Sequence, residues 1–241
     1  MTGPATVYLI PTFLDEENME VLPPYILGAV KSAEVFFVEN ERSARRFLKR
    51  LWKEMDIDSY RWFVIHKAED AVKQEFLHQV KQGKQIAILS EAGCPGIADP
   101  GQILVAAAQE AGAIVKPLVG PSSILLALMA SGMNGQHFQF HGYLPIETSE
   151  RGRRIKELET VSRKDNSAQI FIETPYRNLS LLDSLLKNCS NQTRLCIAVN
   201  LTGESESIRT KTIEAWRKAI PEINKKPAIF ILQAGLLTDN R

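Results

Sequence analysis

Short apolar runs alternate with segments of helical periodicity along this chain, and this alternation restricts the fold more than any other feature. β-branched and aromatic residues dominate the runs, whereas the segments between them carry apolar residues three or four positions apart. Strands that alternate with helices are typical of a mostly parallel sheet. In the first half, the predicted strands are Val7–Ile10, Val35–Glu39, Trp62–His66, Gln85–Ser90 and Ile114–Leu118, and the predicted helices span 26–33, 41–55, 70–82 and 101–112.

The pattern changes near Gly120, where we predict that a second domain begins. A helix is predicted from Ser122 to Ser131, and a strand at Gln139–Tyr143 leads into a charged stretch that starts at Ser149. The two predicted domains are therefore residues 1–119 and 120–241. The remaining predicted elements are strands at Gln169–Glu173, Arg194–Asn200 and Ala228–Gln233 and helices at 178–187 and 213–219.

Composition argues against several classes of protein. With 44% hydrophobic and 24% charged residues, the chain has the composition of a soluble globular protein, and no apolar run approaches the roughly 20 residues of a membrane-spanning helix. Cys94, Cys189 and Cys196 form no CxxC pair, and no histidine stands at zinc-ligand spacing. We therefore expect a cytoplasmic protein without disulfides, metal or membrane contact. The net charge of +1 gives no general attraction to nucleic acids, so an RNA partner requires a local basic patch.

Several nucleotide-binding and hydrolytic motifs are missing from the sequence. There is no GxxxxGK[ST] loop, and no GxGxxG follows the first predicted strand, so neither nucleotide hydrolysis nor a dinucleotide-binding fold is expected. There is also no Gly-x-Ser-x-Gly elbow and no HExxH segment, which argues against a hydrolase or a metalloprotease.

A segment rich in glycine and proline, residues 90–101, follows the fourth predicted strand. Ligands of α/β sheets bind at the carboxyl ends of the strands, and glycine lets a ligand approach the backbone closely. Asp99 is also placed to cap the next helix. The segment is therefore either a ligand-binding loop or an ordinary strand-to-helix connection.

A second segment, Gly120 to Ser123, opens an apolar helix. A serine at a helix start caps the free amides of the first turn, and the same amides bind anions such as a carboxylate. Ser122 and Ser123 therefore act either as caps or as ligands of the amino-acid end of a cofactor.

These two segments, Leu89-Ser-Glu-Ala-Gly-Cys-Pro-Gly-Ile-Ala-Asp-Pro-Gly101 and Gly120-Pro-Ser-Ser-Ile-Leu-Leu-Ala-Leu-Met-Ala-Ser-Gly132, resemble the tetrapyrrole methylase superfamily. The nearest likeness is to its 16S ribosomal RNA 2′-O-ribose methyltransferase I branch. The resemblance implies two α/β domains, with a mostly parallel first sheet and a mixed second sheet. It also implies a homodimer and S-adenosylmethionine in the cleft between the domains. It extends over nearly the whole chain, through Tyr8–Thr12, Phe140–Pro145, Phe171–Arg177 and Pro227–Gln233.

Residue by residue, the resemblance implies a cofactor site and a substrate site. The substrate side corresponds to Pro11, Thr12 and Arg42. The implied cofactor residues are Ser90, Glu91, Ala92, Gly93 and Ile97 in the first domain, Ser122 and Ser123 at the helix start, and Ile172, Glu173, Leu201, Pro227 and Ala228 in the second domain.

The substrate side departs from the family pattern. The branch usually reads Pro-Thr-Pro-Ile-Gly-Asn-Leu where this chain has Pro11-Thr-Phe-Leu-Asp-Glu-Glu17, so a glycine-containing loop is missing. It also usually reads Glu-Asp-Thr-Arg at Glu39–Arg42 and His-x-His-x-Asn-Glu at Ile65–Asp70. The cofactor motifs are thus retained, whereas the substrate motifs differ.

We expect an S-adenosylmethionine-dependent methyltransferase that acts on a ribose 2′-hydroxyl of ribosomal RNA, with the RNA or the small ribosomal subunit as its partner. A ribose hydroxyl loses its proton during attack, so a carboxylate or histidine must serve as base. Glu39, Glu91 and His66 stand at predicted strand ends and are the candidates.

Basic residues near the proposed cleft, Arg42, Arg45 and Arg46, are candidates for contact with RNA phosphates. A second basic stretch starts at Arg151, but Glu150, Glu157 and Glu159 interleave with it, which is typical of a solvated helix face.

Two alternatives remain open at this point. The altered substrate loop favours a methyltransferase for a small molecule such as a tetrapyrrole. A catalytically silent module that binds the cofactor or RNA is the other alternative.

Overall fold

The structure, a computed structural model, describes residues 3–65, 69–98 and 100–235. The chain forms two compact units, Met1–Ser122 and Ser123–Arg241, which we call the first and the second unit. Each unit contains one five-stranded sheet and several helices, so the predicted fold class of two α/β domains is confirmed.

The first unit alternates strands with helices, as the sequence predicts. Two short 3₁₀ turns, Met19–Val21 and Ile57–Ser59, interrupt the connections. In chain order the elements are β1 (Thr6–Ile10), α1 (Ile26–Ser32), β2 (Val35–Val38), α2 (Glu41–Leu51), β3 (Arg61–Val64), α3 (Glu69–Lys81), β4 (Gln85–Leu89), α4 (Gln102–Glu110) and β5 (Ile114–Pro117).

The first sheet is parallel throughout, with the strand order β3-β2-β4-β1-β5. Ile10 of β1 and Val38 of β2 both lie opposite Leu89 of β4 in the strand register. Three neighbouring strands therefore end at the same level, and the loops that follow them meet at one edge of the sheet.

Apolar side chains cover both faces of this sheet. Phe36 and Phe37 are neighbours in β2, point to opposite faces and are both fully buried. Phe36 lies in one core with Phe47 of α2, whereas Phe37 packs edge to face on Phe76 of α3 at 5.2 Å between ring centroids. Burial on both faces explains why β2 reads as an unbroken apolar run.

The second unit carries the remaining elements around a mixed sheet. The strand order is β6-β7-β10-β8-β9, in which β6 and β7 are parallel and the other neighbours are antiparallel. A 3₁₀ turn spans Pro175–Arg177. The elements are α5 (Ser123–Ser131), β6 (Phe138–Tyr143), α6 (Thr148–Asp165), β7 (Ala168–Ile172), α7 (Asn178–Asn188), β8 (Arg194–Val199), β9 (Ser207–Thr212), α8 (Ile213–Lys218) and β10 (Ala228–Gln233).

The core of the second unit lies between its sheet and α6, α7 and α8. Phe171 and Phe230 stack at 6.1 Å between ring centroids, and Trp216 of α8 joins the same cluster. The helix α5 lies on the other face of the sheet, where the Thr210 hydroxyl donates to the carbonyl of Ser131 at 2.7 Å. The start of α5 and the strand ends of the second sheet therefore belong to the same unit.

Candidate functional site

Three loops at the carboxyl edge of the first sheet are locked together by short contacts. The amide of Thr12, after β1, donates to the carbonyl of Gly93, after β4, at 2.9 Å. The Cys94 thiol lies 3.5 Å from the Pro121 carbonyl, after β5. A Cβ added to Gly120 would lie 2.1 Å from Cβ of Pro11, so only glycine fits there. The predicted glycine-rich segments are therefore packed against each other.

A cavity of about 270 Å³ opens beside these loops, within the first unit. Loops after β1 and β4 form one side, and the first turns of α2 form the other. Four of the sequence-predicted site residues line it: Thr12, Ser90, Glu91 and Ala92. The other lining residues are Phe13, Leu14, Glu16, Ser43, Ala44, Arg46 and Phe47.

Glu39 and Glu91 come together at the ends of the neighbouring strands β2 and β4. The amide of Glu91 donates to the Glu39 carboxylate at 3.0 Å. Glu91 itself is exposed and lines the cavity, and its Oε1 accepts a hydrogen bond from the Ser43 hydroxyl at 3.0 Å. Ser43 is held in turn by Asn40, whose side chain caps α2. Glu91 is thus the carboxylate of the pair that faces the cavity.

Thr12 combines deep burial with an unused hydroxyl. Its side chain is 2% exposed, and its Oγ1 has no hydrogen-bond partner among the described residues. Buried hydroxyls are nearly always paired in folded proteins, so the Thr12 hydroxyl is suited to bind a group that enters the cavity. The neighbouring Pro11 is buried against Gly120 and does not line the cavity.

Three of the four arginines of α2, the ones that the sequence nominates for RNA contact, have different surroundings. Arg45 pairs with Glu41 and Asp58 at 2.9 and 2.7 Å, and Arg46 pairs with Glu16 at 2.6 Å across the cavity. Arg42 is exposed and makes no side-chain hydrogen bond or ion pair with the described residues. Its guanidinium is therefore available to an anionic ligand.

The loop after β4 places the other predicted residues unevenly. Ser90 is 4% exposed, and Gly93 adopts a positive φ of 76°, whereas Ile97 is 50% exposed. Gly101 occupies the cap position of α4, for which the sequence suggests Asp99. Asp99 and the base candidate His66 lie outside the described residues.

Ser122 and Ser123 stand where the sequence places them, at the start of α5. Ser123 is the first residue of the helix, and both serines are half-buried. Neither hydroxyl makes a hydrogen bond with another described residue. Both of their predicted roles, as caps or as anion ligands, therefore remain predictions.

The second unit gathers its predicted cofactor residues at one edge of its sheet. β7 and β8 both run antiparallel to β10, so Ile172, which ends β7, and Leu201, which follows β8, lie on the side where β10 begins with Ala228. The amide of Asn200 donates to the carbonyl of Pro227 at 3.0 Å, which ties this edge together.

Glu173 has an internal partner at this edge. Its side chain is fully buried, and Oε1 accepts from Arg177 at 2.6 Å and from the amide of Thr174 at 2.7 Å. Its Oε2 has no partner in the described part of the chain. The sequence predicts contact between Glu173 and the cofactor, and the structure shows in addition that Glu173 fixes Arg177.

The second basic stretch is a solvated helix face for most of its length, as the sequence interpretation expects, since Arg153, Lys156, Arg163 and Lys164 are exposed, but its first residue differs. Arg151 is 3% exposed and donates to the hydroxyls of Ser184 and Ser180 at 2.9 and 3.0 Å. The helix α6 packs on α7 at this point, and the guanidinium satisfies buried oxygens there. Arg151 is therefore structural.

The sequence patterns missed Phe13 and Ser43 as parts of the cavity, whereas Arg46 was predicted near the cleft as a contact for RNA phosphates. Phe13 is 8% exposed and packs edge to face on Phe47, a contact that periodicity within one helix does not indicate. Ser43 and Arg46 lie four and seven positions after Glu39, which puts them on one face of α2. The spacing of Ser43 and Arg46 after the end of β2 is the sequence signal that indicates their place beside the cavity.

Two kinds of site receive no support from the described residues. None of the helices in 3–65, 69–98 or 100–235 is both long and apolar enough to cross a membrane. The same residues contain no cluster of histidine, cysteine, aspartate and glutamate that would hold a metal ion.

Burial raises the pKa of the Cys189 thiol to about 12, so this cysteine does not act as a nucleophile.

Known proteins resemble this chain in sequence and in fold. A relative from Vibrio cholerae, Ribosomal RNA small subunit methyltransferase I, is 31% identical over 208 residues, which cover 86% of this chain and 68% of the relative. A crystal structure of diphthine synthase has a TM-score of 0.68 at 12% identity and covers 97% of this chain and 91% of its own.

A second solved structure is uroporphyrin-III C-methyltransferase from Thermus thermophilus, complexed with S-adenosylhomocysteine. It has a TM-score of 0.55 at 15% identity and covers 95% of this chain and 97% of its own. A family model described as Tetrapyrrole (Corrin/Porphyrin) Methylases matches residues 18–216. The chain therefore belongs to the tetrapyrrole methylase family and, by its identity to the Vibrio cholerae protein, to the ribosomal RNA small subunit methyltransferase I group within it.

Proposed function

We propose that this protein is an S-adenosylmethionine-dependent methyltransferase that acts on a ribose 2′-hydroxyl of small-subunit ribosomal RNA. The observation that carries the proposal is the similarity to the Vibrio cholerae Ribosomal RNA small subunit methyltransferase I, which is 31% identical over 86% of this chain. The ribose as acceptor rests on the likeness of the two long motifs to the 2′-O-ribose branch.

The described residues fit the cofactor. Ser122 and Ser123 offer hydroxyls, and the start of α5 offers free amides, for the carboxylate of its amino-acid end. In the first unit, the loop of Ser90, Glu91, Ala92 and Gly93 offers backbone groups to the cofactor. Ile172, Leu201, Pro227 and Ala228 form an edge suited to the adenosine. When bound, S-adenosylmethionine supplies an electrophilic methyl group on a sulfonium centre.

Glu91 is the favoured base. It lines the cavity, and Ser43 holds Oε1, so Oε2 is free to accept the proton of the ribose hydroxyl. Glu39 positions Glu91 by accepting the hydrogen bond from its amide. Thr12 holds the acceptor sugar through its unpaired hydroxyl, and Arg42 holds a phosphate. These residues mainly orient the acceptor, which is the principal demand of an in-line methyl transfer.

The size of the cavity favours a ribose over a tetrapyrrole. Sites for whole small molecules usually occupy about 300–1,000 Å³, and this cavity has about 270 Å³. Phe13 and Leu14, from the segment that departs from the family's glycine-containing loop, line the cavity with bulky side chains. A single sugar of an RNA chain therefore fits more readily than a macrocycle.

The decisive experiment is transfer of labelled methyl to small ribosomal subunits and to free RNA from a strain that lacks this gene. Label that maps to a ribose supports the proposal. Label found only on a porphyrinoid precursor would favour the small-molecule alternative. Cofactor binding without transfer to any acceptor would favour the silent module.

A matched pair of variants tests the base. We expect Glu91→Gln to lower kcat by about 10²- to 10⁴-fold with little change in cofactor affinity, because the amide cannot take the proton. Glu54→Gln, at an exposed glutamate outside the cavity, serves as control. Full activity of Glu91→Gln would exclude Glu91 as the base.

Two further variants test the cofactor site. Ser122→Asp should weaken cofactor binding by charge repulsion, and Gly93→Val should weaken it because valine does not tolerate the positive φ. Isothermal calorimetry measures both. Unchanged affinity in both variants would refute the proposed site.

We also infer a homodimer in the cytoplasm. The homodimer rests on the family resemblance, and large apolar side chains that a partner could cover are exposed at Met129, Tyr176, Val119 and Ile146, with exposures of 79, 77, 70 and 69%. Sedimentation velocity distinguishes a dimer from a monomer, and cell fractionation with ribosomal markers tests the location.

A further inference from the structure

The second unit contains another cavity, of about 230 Å³, between the hairpin of β8 and β9 and the segment that follows α8. None of the cofactor or substrate residues named above lines it. Its lining residues are Ile197, Val199, Ser205, Ser207, Arg209, Trp216, Pro221, Glu222, Ile223 and Lys226.

The cavity has an apolar floor and a rim of hydrogen-bond donors. Ile197, Trp216 and Ile223 form the floor and are at most 2% exposed. Ser207 and Arg209 alternate along β9, so both side chains lie on the same face of the edge strand. The rim thus presents polar groups from β9 above a surface that cannot itself bind a polar ligand.

The cations of the rim are available to a ligand. Arg209 is exposed and makes no hydrogen bond or ion pair with any described residue. Lys226 pairs at 3.1 Å with Glu222, but this carboxylate is 88% exposed, so solvent weakens the pair. Glu222 is the one acidic residue in the lining. The balance of charge in the cavity therefore favours an anion.

Two hydroxyls complete the set of donors. The Ser205 hydroxyl oxygen accepts from Asn200 at 2.8 Å, which leaves its proton free to donate. Ser207 adds a second exposed hydroxyl. A guanidinium, an ammonium and two hydroxyls around a shallow cavity match the oxygens of a phosphate group.

We propose that this cavity binds one backbone phosphate of the RNA acceptor and so positions the RNA on the second unit. The inference rests on the proposed function, because it takes its ligand from the RNA substrate. A free nucleotide fits less well, since the ring of Trp216 is 2% exposed and offers no face on which a base could stack. The cavity contacts only the phosphate, so the contact does not depend on the base sequence of the RNA.

Salt dependence of RNA binding tests the proposal. The variants are Arg209→Ala, Arg209→Lys and, as a matched control, Lys164→Ala at an exposed lysine of α6. The probe is a fragment of small-subunit ribosomal RNA, titrated against the full chain by filter binding at several salt concentrations. Calorimetry with S-adenosylmethionine shows whether the cofactor site is intact.

We expect Arg209→Ala to weaken RNA binding about fivefold and to lower the slope of log affinity against log salt by about 0.7, because one phosphate contact is lost. Arg209→Lys should retain the slope and part of the affinity. Cofactor affinity and Tm should not change, and Lys164→Ala should match the parent protein in every measurement.

Three results would overturn the proposal. If the parent binds RNA and Arg209→Ala has the same affinity and slope, this cavity holds no RNA phosphate although the proposed function stands. If the parent binds S-adenosylmethionine but no RNA, both fail. If inorganic phosphate binds at Arg209 while RNA affinity is insensitive to Arg209→Ala, the cavity is a site for small anions.

Discussion

Thr12 of the first unit has a buried side chain whose hydroxyl has no hydrogen-bond partner among the described residues. An orphaned buried hydroxyl costs about 1–3 kcal/mol of stability, so Thr12→Val should leave the free energy of unfolding unchanged or raise it by about 1 kcal/mol. Methyl transfer should fall because the acceptor sugar loses a hydrogen bond. Urea unfolding and steady-state kinetics measure the two effects.

Thr193→Val is the matched control for that variant. Thr193 is as deeply buried as Thr12, but its hydroxyl donates to the buried carboxylate of Glu159. The same substitution should therefore destabilise the protein, by about 1–3 kcal/mol, without an effect at the site. A loss of stability in Thr12→Val comparable to that in Thr193→Val would show that the Thr12 hydroxyl is satisfied in the protein.

Gly120 is a second residue with a specific steric reason for its identity. In Gly120→Ala the new methyl group would lie 2.1 Å from Cβ of Pro11, so one loop must move. We expect a loss of about 1–3 kcal/mol in stability and weaker cofactor binding, measured by urea unfolding and calorimetry. Gly28→Ala, in α1 with no atom within 4 Å of the new methyl, should instead gain up to about 1 kcal/mol. Equal effects of the two substitutions would contradict the packing explanation.

At the scale of single residues, the sequence predicts site residues that lie within one segment. It misses residues that come together only when the chain folds. Ser90, Glu91 and Ala92 are consecutive after one strand, and all three line the cavity. Phe13 reaches the same cavity only because it packs on Phe47 of another element. No local spacing encodes that contact.

Among the elements, α6 begins with a cap that the charged sequence conceals. The Glu147 carboxylate accepts from the amides of Ser149 and Glu150 at 2.9 and 2.7 Å and from the Ser149 hydroxyl at 2.6 Å. These hydrogen bonds, that of the Ser149 hydroxyl first, lower the pKa of Glu147 from its ordinary 4.5 to about 2. The ionised carboxylate thus stabilises the helix start.

The pH dependence of this cap has a definite direction. Because the pKa is lower in the folded protein, the contribution is complete above about pH 4.5 and is lost as the pH falls towards 2. Glu147→Ala should therefore lower Tm at pH 7, and the difference from the parent should shrink on acidification. Thermal unfolding from pH 7 to pH 2.5 measures this, with the loop variant Glu204→Ala as control. A difference in Tm that is independent of pH would rule out the charged cap.

Strands with a run of apolar residues were predictable, whereas the polar strand β9 was not. β2 and β4 are buried on both faces and read as apolar runs in the sequence. β9 has Ile208 as its single apolar residue and lies at the edge of its sheet, so no apolar alternation marks it. The predicted helix 41–55 ends at Leu51 because Trp52 adopts an extended conformation that periodicity does not reveal.

At the scale of the whole molecule, cofactor residues are proposed in both units. Binding at 100 times Kd should stabilise the protein by about 2.7 kcal/mol. Hydrogen exchange with and without S-adenosylmethionine should then show protection around residues 90–97 in the first unit and around 172–173, 201 and 227–228 in the second. Protection confined to one unit would show that the other does not contribute.

The division into two units was predictable only in part. The change of pattern near Gly120 comes close to the division after Ser122. The placement of the cofactor between the domains stays a prediction, because it depends on long-range geometry that neither periodicity nor motif spacing specifies.

The three interlocked loops of the first sheet also bear on how such proteins diverge. Pro11 against Gly120, Thr12 against Gly93 and Cys94 against Pro121 make each loop depend on the length of the other two. An insertion in one would need matching insertions in its neighbours. Phe13 and Glu16, in the loop after β1, instead contact Phe47 and Arg46 of α2, which are not part of this interlock. Substitutions in residues 13–18 and in α2 can therefore change the methyl acceptor during evolution, while the interlocked loops on the methyl-donor side stay the same.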